Sequence, residues 1–323
     1  MTRHWWRRLA LAVLLLALGV VVSSYLWPRM ILRAATAVVE RRDGFRVRQV
    51  QTNEGVVPYL DGGSGPVVLL LHGFQDSKES WLGFATPLTA SHRVLIPDLH
   101  GFGDNHAATD GDYRPPAQAR RMAEFIRALG VGEVDVAGVS MGGEIAAAFA
   151  AASPELTRSV ALISSAGTVS DTLTPIGRRL LAGDNIFHVE TAADFDTLVM
   201  RIADSGMSIP GLFRRAAVQE YRARNPEWDT VFAQLSEPAM RVLTDSLAPD
   251  IAAPALVLWG AHDPIFHRST AARLAGRLPH AELTVFPDCG HLCPASRPAE
   301  VSARYLRFLA ERGVRGPGAR AGG

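Results

Sequence analysis

The sequence predicts an α/β protein, with a mostly parallel central sheet, helices on both of its faces and one helical insertion. Three observations carry this. Apolar runs of strand length recur without polar alternation, helix-prone stretches separate them, and a block over residues 169–250 shows helix signal alone before the alternation resumes. A chain of 323 residues that is 48% hydrophobic can bury the core such a sheet needs.

The chain opens with a nearly uninterrupted apolar run from Leu9 to Trp27. At ~1.5 Å per helical residue it would span roughly the ~30 Å of a bilayer interior. Arg3, Arg7 and Arg8 precede it, and Trp5, Trp6, Tyr25 and Trp27 flank it where amphipathic rings prefer the headgroup level. Residues 1–30 therefore read as a single-pass membrane anchor. The rival is a cleaved signal peptide. Its small-x-small candidate, Ala35-Thr36-Ala37, lies well beyond the apolar run and is separated from it by Pro28, Arg29 and Arg33. Arg29, Arg33, Arg41 and Arg42 nearly balance the arginines before the run. The short basic N-terminus favours leaving that end in the cytoplasm and the domain that follows outside it.

Residues 31–168 read as the first part of the core. Phe45 to Val50 and Val56 to Leu60 predict an opening hairpin, followed by the turn Asp61-Gly62-Gly63-Ser64-Gly65-Pro66. Val67 to Leu71, Arg93 to Pro97, Val134 to Gly138 and Ser159 to Ile163 read as buried parallel strands. The helices between them are expected near Lys78 to Thr89, Ala117 to Leu129 and Met141 to Ala152. The cap, residues 169–250, is helix-prone and punctuated by Pro175, Pro210, Pro226 and Pro238. The core resumes over 251–312 with the strand Ala255 to Trp259, a helix Arg268 to Leu278, the strand Glu282 to Phe286 and a closing helix from Arg297 to about Glu311. The Gly- and Arg-rich residues 313–323 read as a disordered tail.

Several function classes are excluded by composition. The net charge of +1, from 33 basic and 32 acidic residues, offers no field to gather nucleic acid. Lys78 is the only lysine, so no Gly-Lys-Ser/Thr phosphate loop exists. Gly101-Phe102-Gly103 lacks the third glycine of a dinucleotide fingerprint, and no cofactor is expected. Two cysteines are too few for a disulfide framework. Cys289 and Cys293 are expected as free thiols, with a disulfide between them as the alternative outside the cytoplasm, and Cys289, His291 and Cys293, so close on one loop, are not expected to hold a metal.

The chemistry is carried by Gly138-Val139-Ser140-Met141-Gly142, a glycine–x–serine–x–glycine turn between a buried strand and a helix. Such a turn lifts the serine to the carboxyl edge of the sheet, and its flanking positions have no room for side chains. A serine hydroxyl needs an imidazole to take its proton and a carboxylate to hold that imidazole. With this elbow the acid and then the histidine come from later strand ends. Asp263, after Ala255 to Trp259, and His291, after Glu282 to Phe286, stand there. Asp288, on the histidine's own loop, is the rival acid. Asp98 in its Asp-x-x-Gly-x-Gly turn reads as a structural hydrogen-bond acceptor. Acyl transfer also needs two backbone N–H donors for the oxyanion, expected at Met141 and at Phe74 in the turn after Val67 to Leu71. His72 and Gly73 of that turn are expected to line the substrate site.

HGF at His72 to Phe74, PDLHGFG at Pro97 to Gly103, GVSMGG around Ser140, WGAHD ending at Asp263 and CGH ending at His291 resemble the α/β-hydrolase superfamily. Within it the sequence is most similar to membrane-anchored bacterial lipases and N-terminally anchored monoacylglycerol lipases. The resemblance runs from about Val56 to Leu309, and the cap is its least specific part. It implies the α/β-hydrolase fold, nucleophile Ser140, acid Asp263, histidine His291 and oxyanion donors Phe74 and Met141. His100, where many relatives carry Pro, and the two cysteines around His291 depart from the usual pattern.

The function expected is hydrolysis of carboxylic esters, acylglycerols or similar lipid-like molecules. The cap residues Phe187, Phe195, Met200, Met207, Phe213, Trp228 and Phe232 supply apolar area for an acyl pocket, although each alone is as readily explained by the cap's own core. Two alternatives stay open: a hydrolase of soluble substrates, including carbon–carbon bonds of ring-fission products, and a non-catalytic receptor on the same fold.

Overall fold

A computed structural model of the chain describes residues 28–105, 110–202 and 209–314, with the isolated positions 5, 6, 8, 9, 10 and 13. The eight strands are β1 (Phe45–Thr52), β2 (Gly55–Gly62), β3 (Val67–Leu71), β4 (Arg93–Pro97), β5 (Val134–Val139), β6 (Thr157–Ile163), β7 (Ala255–Gly260) and β8 (Ala281–Phe286). They form one sheet in the order β1-β2-β4-β3-β5-β6-β7-β8. β2 runs antiparallel to β1 and β4, while β4, β3, β5, β6, β7 and β8 pair in parallel. The mostly parallel α/β sheet is thus present, and each expected strand falls within a residue or two of its observed range.

Alternation along the central strands explains why they read as continuous apolar runs. Leu69, Leu71, Val136, Leu162, Val257 and Trp259 face one layer, packed with Phe125, Ile126, Ile145 and Phe149 of α2 (Pro115–Ala128) and α3 (Met141–Ala152). Val68, Leu70, Ala137, Ile163, Leu256 and Leu258 face the other, packed with Trp81, Phe84, Tyr305 and Phe308. Both faces are therefore dry, which only helices on both sides can provide.

The helical elements depart from expectation in three places. Residues 78–90 form a 3₁₀ turn, one α-turn and a second 3₁₀ turn in place of a single helix. Trp81, Phe84 and Leu88 are fully buried there, so tertiary packing sets the local geometry. A helix that sequence periodicity did not reveal, α1 (Pro28–Arg42), lies against β1 and the cap. Ala35-Thr36-Ala37 sits within it. In the cap, after α4 (Pro175–Leu181) and α5 (Ala192–Ile202), α6 (Gly211–Leu235) continues past Pro226 without a break. Trp228 and Val231 beyond that proline are buried in the sheet-side core, and their packing outweighs the lost backbone donor.

The sheet is completed by α7 (Ser269–Arg277) and α8 (Pro298–Val314). Among the described residues no helix is long and apolar enough to cross a membrane. The expected anchor, Leu9 to Trp27, falls almost wholly outside those residues, as does most of the tail over 313–323.

Candidate active site

Ser140 sits between β5 and α3 with φ 55° and ψ −119°, a strained conformation for a residue with a side chain. The turn is held by its neighbours. Ser140 N–H donates to Ile163 of β6 (3.0 Å), and its carbonyl accepts from Gly143, Glu144 and Ala166 (2.9, 3.2 and 3.0 Å). A Cβ on Gly138 would lie 2.0 Å from the Gly142 carbonyl oxygen, and one on Gly142 2.2 Å from that of Leu71. Neither position admits another residue.

Asp263 and His291 stand on the loops after β7 and β8, at the same carboxyl edge of the sheet. His291 Nδ1 lies 2.9 Å from Asp263 Oδ2. The other carboxylate oxygen, Oδ1, accepts from Ile265 and Phe266 N–H (2.9 and 3.0 Å). Both side chains are buried. Asp263 thus holds the imidazole of His291 by its Nδ1 side. Asp288, the rival acid, makes no such contact; its carbonyl accepts from Arg297 instead.

The turn after β3 abuts the elbow: a Cβ on Gly73 would lie 3.6 Å from Ser140 Cβ. Phe74 follows, and Met141 heads α3, where first-turn N–H groups lack intrahelical acceptors. His72 is fully buried. Its Nε2 accepts from Leu99 N–H (3.0 Å), so Nδ1 carries the proton and donates to the Gly73 carbonyl (2.8 Å). Burial holds the ring below its ordinary pKa, in keeping with this neutral tautomer. Both nitrogens are engaged by backbone and none is left for a ligand. Through these two bonds the ring holds the turn after β3 to Leu99, in the loop that follows β4.

Asp98 is the structural acceptor its turn suggested. Oδ1 accepts from Lys78 N–H (2.8 Å), and Oδ2 accepts from Lys78 Nζ and Asp104 N–H (2.7 and 2.8 Å). Burial alone would lower the Lys78 ammonium, but the carboxylates of Asp98 and Glu79 outweigh it and hold it above its ordinary value. Cys289 and Cys293 form a disulfide, correcting the expected free thiols. The spacing of four residues allows it because the loop folds back, bringing the Cα atoms to 5.6 Å.

The cap sorts its aromatic residues. Phe187 and Phe232 lie with ring centroids 5.4 and 6.5 Å from that of Phe74, in the turn after β3. Trp228 is buried against Phe102, Phe195 belongs to the cap's own small core, and Phe213 and Met200 are exposed. Met207 is outside the described residues.

Sequence reasoning missed three residues here. Phe266 packs its ring 5.6 Å from that of His291. Gln75, at φ 58°, donates from Nε2 to the Phe187 carbonyl (3.1 Å) and so fastens the turn after β3 to the cap. Glu144, one helical turn past Ser140, is buried, with Oε1 lacking a hydrogen-bond partner among the described residues. Burial raises its pKa well above the ordinary carboxyl value. None carries a motif, and only their places beside Asp263, HGF and the elbow could have drawn attention to them.

The family pattern for the α/β hydrolase fold matches residues 66–297. This chain belongs to that family. As an α/β hydrolase it is 30% identical over 256 residues to Lipase 1 of Psychrobacter immobilis, covering 77% of this chain and 79% of the relative. It is 26% identical to a monoacylglycerol lipase of Xenopus laevis, over 90% of each chain. Among solved structures, a membrane phospholipase A superposes with TM-score 0.85 and 32% identity, over 96% of this chain and all of that one. Together these make the chain an ester-hydrolysing α/β hydrolase of the serine type. A serine hydrolase involved in carbazole degradation shares the fold, at TM-score 0.72 and 23% identity.

Proposed function

We propose that this α/β hydrolase is a membrane-tethered lipase or esterase that cleaves lipid-like carboxylic esters, acylglycerols among them, through Ser140, His291 and Asp263. The observation that carries the reading is the His291 Nδ1 to Asp263 Oδ2 contact of 2.9 Å, on the same sheet edge as the strained Ser140 elbow. Ser140 Oγ attacks the ester carbonyl while His291 Nε2 takes its proton and Asp263 stabilises the imidazolium. The backbone N–H groups of Phe74 and Met141 receive the oxyanion. His291 then protonates the departing alkoxide, and a water activated by the same nitrogen releases the acyl group from Ser140.

The lipid-like substrate is supported by Phe74, Phe187 and Phe232, which offer an apolar wall beside the reacting carbon, and by the lipases among the relatives. The apolar run Leu9 to Trp27 supplies the tether. The Cys289–Cys293 disulfide supports a catalytic domain outside the cytoplasm, where such bonds persist.

The test is a panel of p-nitrophenyl esters and monoacylglycerols of graded acyl length, assayed on the full chain. Ser140→Ala is expected to lower kcat on the order of 10⁶-fold. Ordinary turnover by that variant would refute the triad, whereas a flat response to acyl length would refute the lipid-like substrate alone.

A further inference from the structure

The loop that carries His291 is closed on itself. The disulfide joins Cys289 to Cys293, four residues apart, so the histidine stands at the middle of the ring. Both cysteines are buried in the apolar layer that holds Trp81, Phe84, Val301 and Tyr305. On its other side the ring is keyed to the loop of the acid. The Cys289 carbonyl accepts from His262 N–H (2.9 Å), next to Asp263, and a Cβ on Gly260 would lie 2.0 Å from the Gly290 carbonyl oxygen. Sulfur thus fastens the ring to the core, and backbone fastens it to the acid loop.

A cross-link over so few residues removes little freedom from the unfolded chain, because that contribution grows with loop length. Its larger effect is local, since closing the ring limits the backbone motions available to His291. We infer that the Cys289–Cys293 disulfide is a positioning element for the base: oxidised, it keeps the imidazole in register with Asp263 and Ser140, and reduced, it releases that register and slows turnover. The inference rests on the triad reading above. Reduction by a phosphine balances as follows: the Sγ–Sγ bond breaks, phosphorus supplies two electrons and takes oxygen from water, and the two protons of that water complete two thiols.

The experiment uses the full chain in detergent with p-nitrophenyl butyrate. Wild type is treated with tris(carboxyethyl)phosphine, desalted without oxygen and checked by mass for two free thiols. The expected result is a fall in kcat of about tenfold to a hundredfold, the scale of a small misplacement of a catalytic group. KM should change less than twofold, and reoxidation should restore kcat. Cys289→Ser with Cys293→Ser should reproduce the reduced enzyme. If that variant fails to fold, the reduction and reoxidation cycle decides alone. A bridge important only for stability would lower the melting temperature and leave kcat unchanged. Two free thiols with wild-type kcat overturn the inference, provided His291→Ala is inactive; an active His291→Ala overturns the triad instead.

Discussion

Asp263 has both carboxylate oxygens committed: Oδ1 to the N–H groups of Ile265 and Phe266, and Oδ2 to His291. An asparagine could keep the first pair through its carbonyl oxygen but would present the wrong group, or favour the wrong tautomer, at the imidazole. Asp263→Asn is therefore expected to lower kcat by about 10⁴ while leaving the melting temperature close to wild type, as ester kinetics and thermal unfolding would show. Glu144 behaves oppositely. Its folded pKa is raised by burial, whereas the unfolded chain ionises it above the ordinary value of 4.5. Stability is thus lost as pH rises from the unfolded value towards the folded one, and none is lost below it. Glu144→Gln should melt about 3 °C higher than wild type at pH 8 and alongside it at pH 4; equal melting at both would contradict a buried neutral carboxyl. At this scale Ser140, Asp263 and His291 stand out in the sequence because each follows a recognisable strand end. Glu144, Gln75 and Phe266 were not, because only their three-dimensional neighbours distinguish them from ordinary polar and aromatic positions.

The cap meets the turn after β3 through aromatic rings, and there specificity can be altered. Phe187 and Phe232 lean on Phe74, and the Phe187 carbonyl also holds Gln75. Removing the Phe187 ring takes away part of the apolar wall and leaves that backbone carbonyl in place. With each buried methylene worth about 0.8 kcal/mol, Phe187→Ala should at least halve the octanoyl-to-butanoyl ratio of kcat/KM. An unchanged ratio would put the acyl chain elsewhere. Element by element, the strands were legible because burial on both faces writes an unbroken apolar run. Residues 78–90 and α1 were not. The first takes its shape from Trp81, Phe84 and Leu88 packing under α8. The second is held by Arg29 to Glu220 and Arg33 to Asp104, pairs far apart along the chain.

For the molecule as a whole, α1 connects the proposed anchor to everything else. It packs on β1 and α6, and Asp104, its partner through Arg33, also receives Lys78 Nζ at 3.0 Å beside the buried Asp98. Removing residues 1–27 should leave a folded domain that hydrolyses short soluble esters and no longer sediments with membranes. Removing residues 1–43 should instead cost stability, seen as a lower melting temperature, because the cap and β1 then lose a packed helix. Sedimentation and thermal unfolding of the two truncations distinguish these outcomes, and equal behaviour would mean that α1 is only a linker.

The fifteen residues of α1 amount to a strut of about 22 Å, fastened along its length. With its leading end in a bilayer, the enzyme would patrol in two dimensions, offering one constant aspect to the lipid headgroups. Its encounter rate would then follow the surface density of substrate and hardly at all the amount dissolved in bulk.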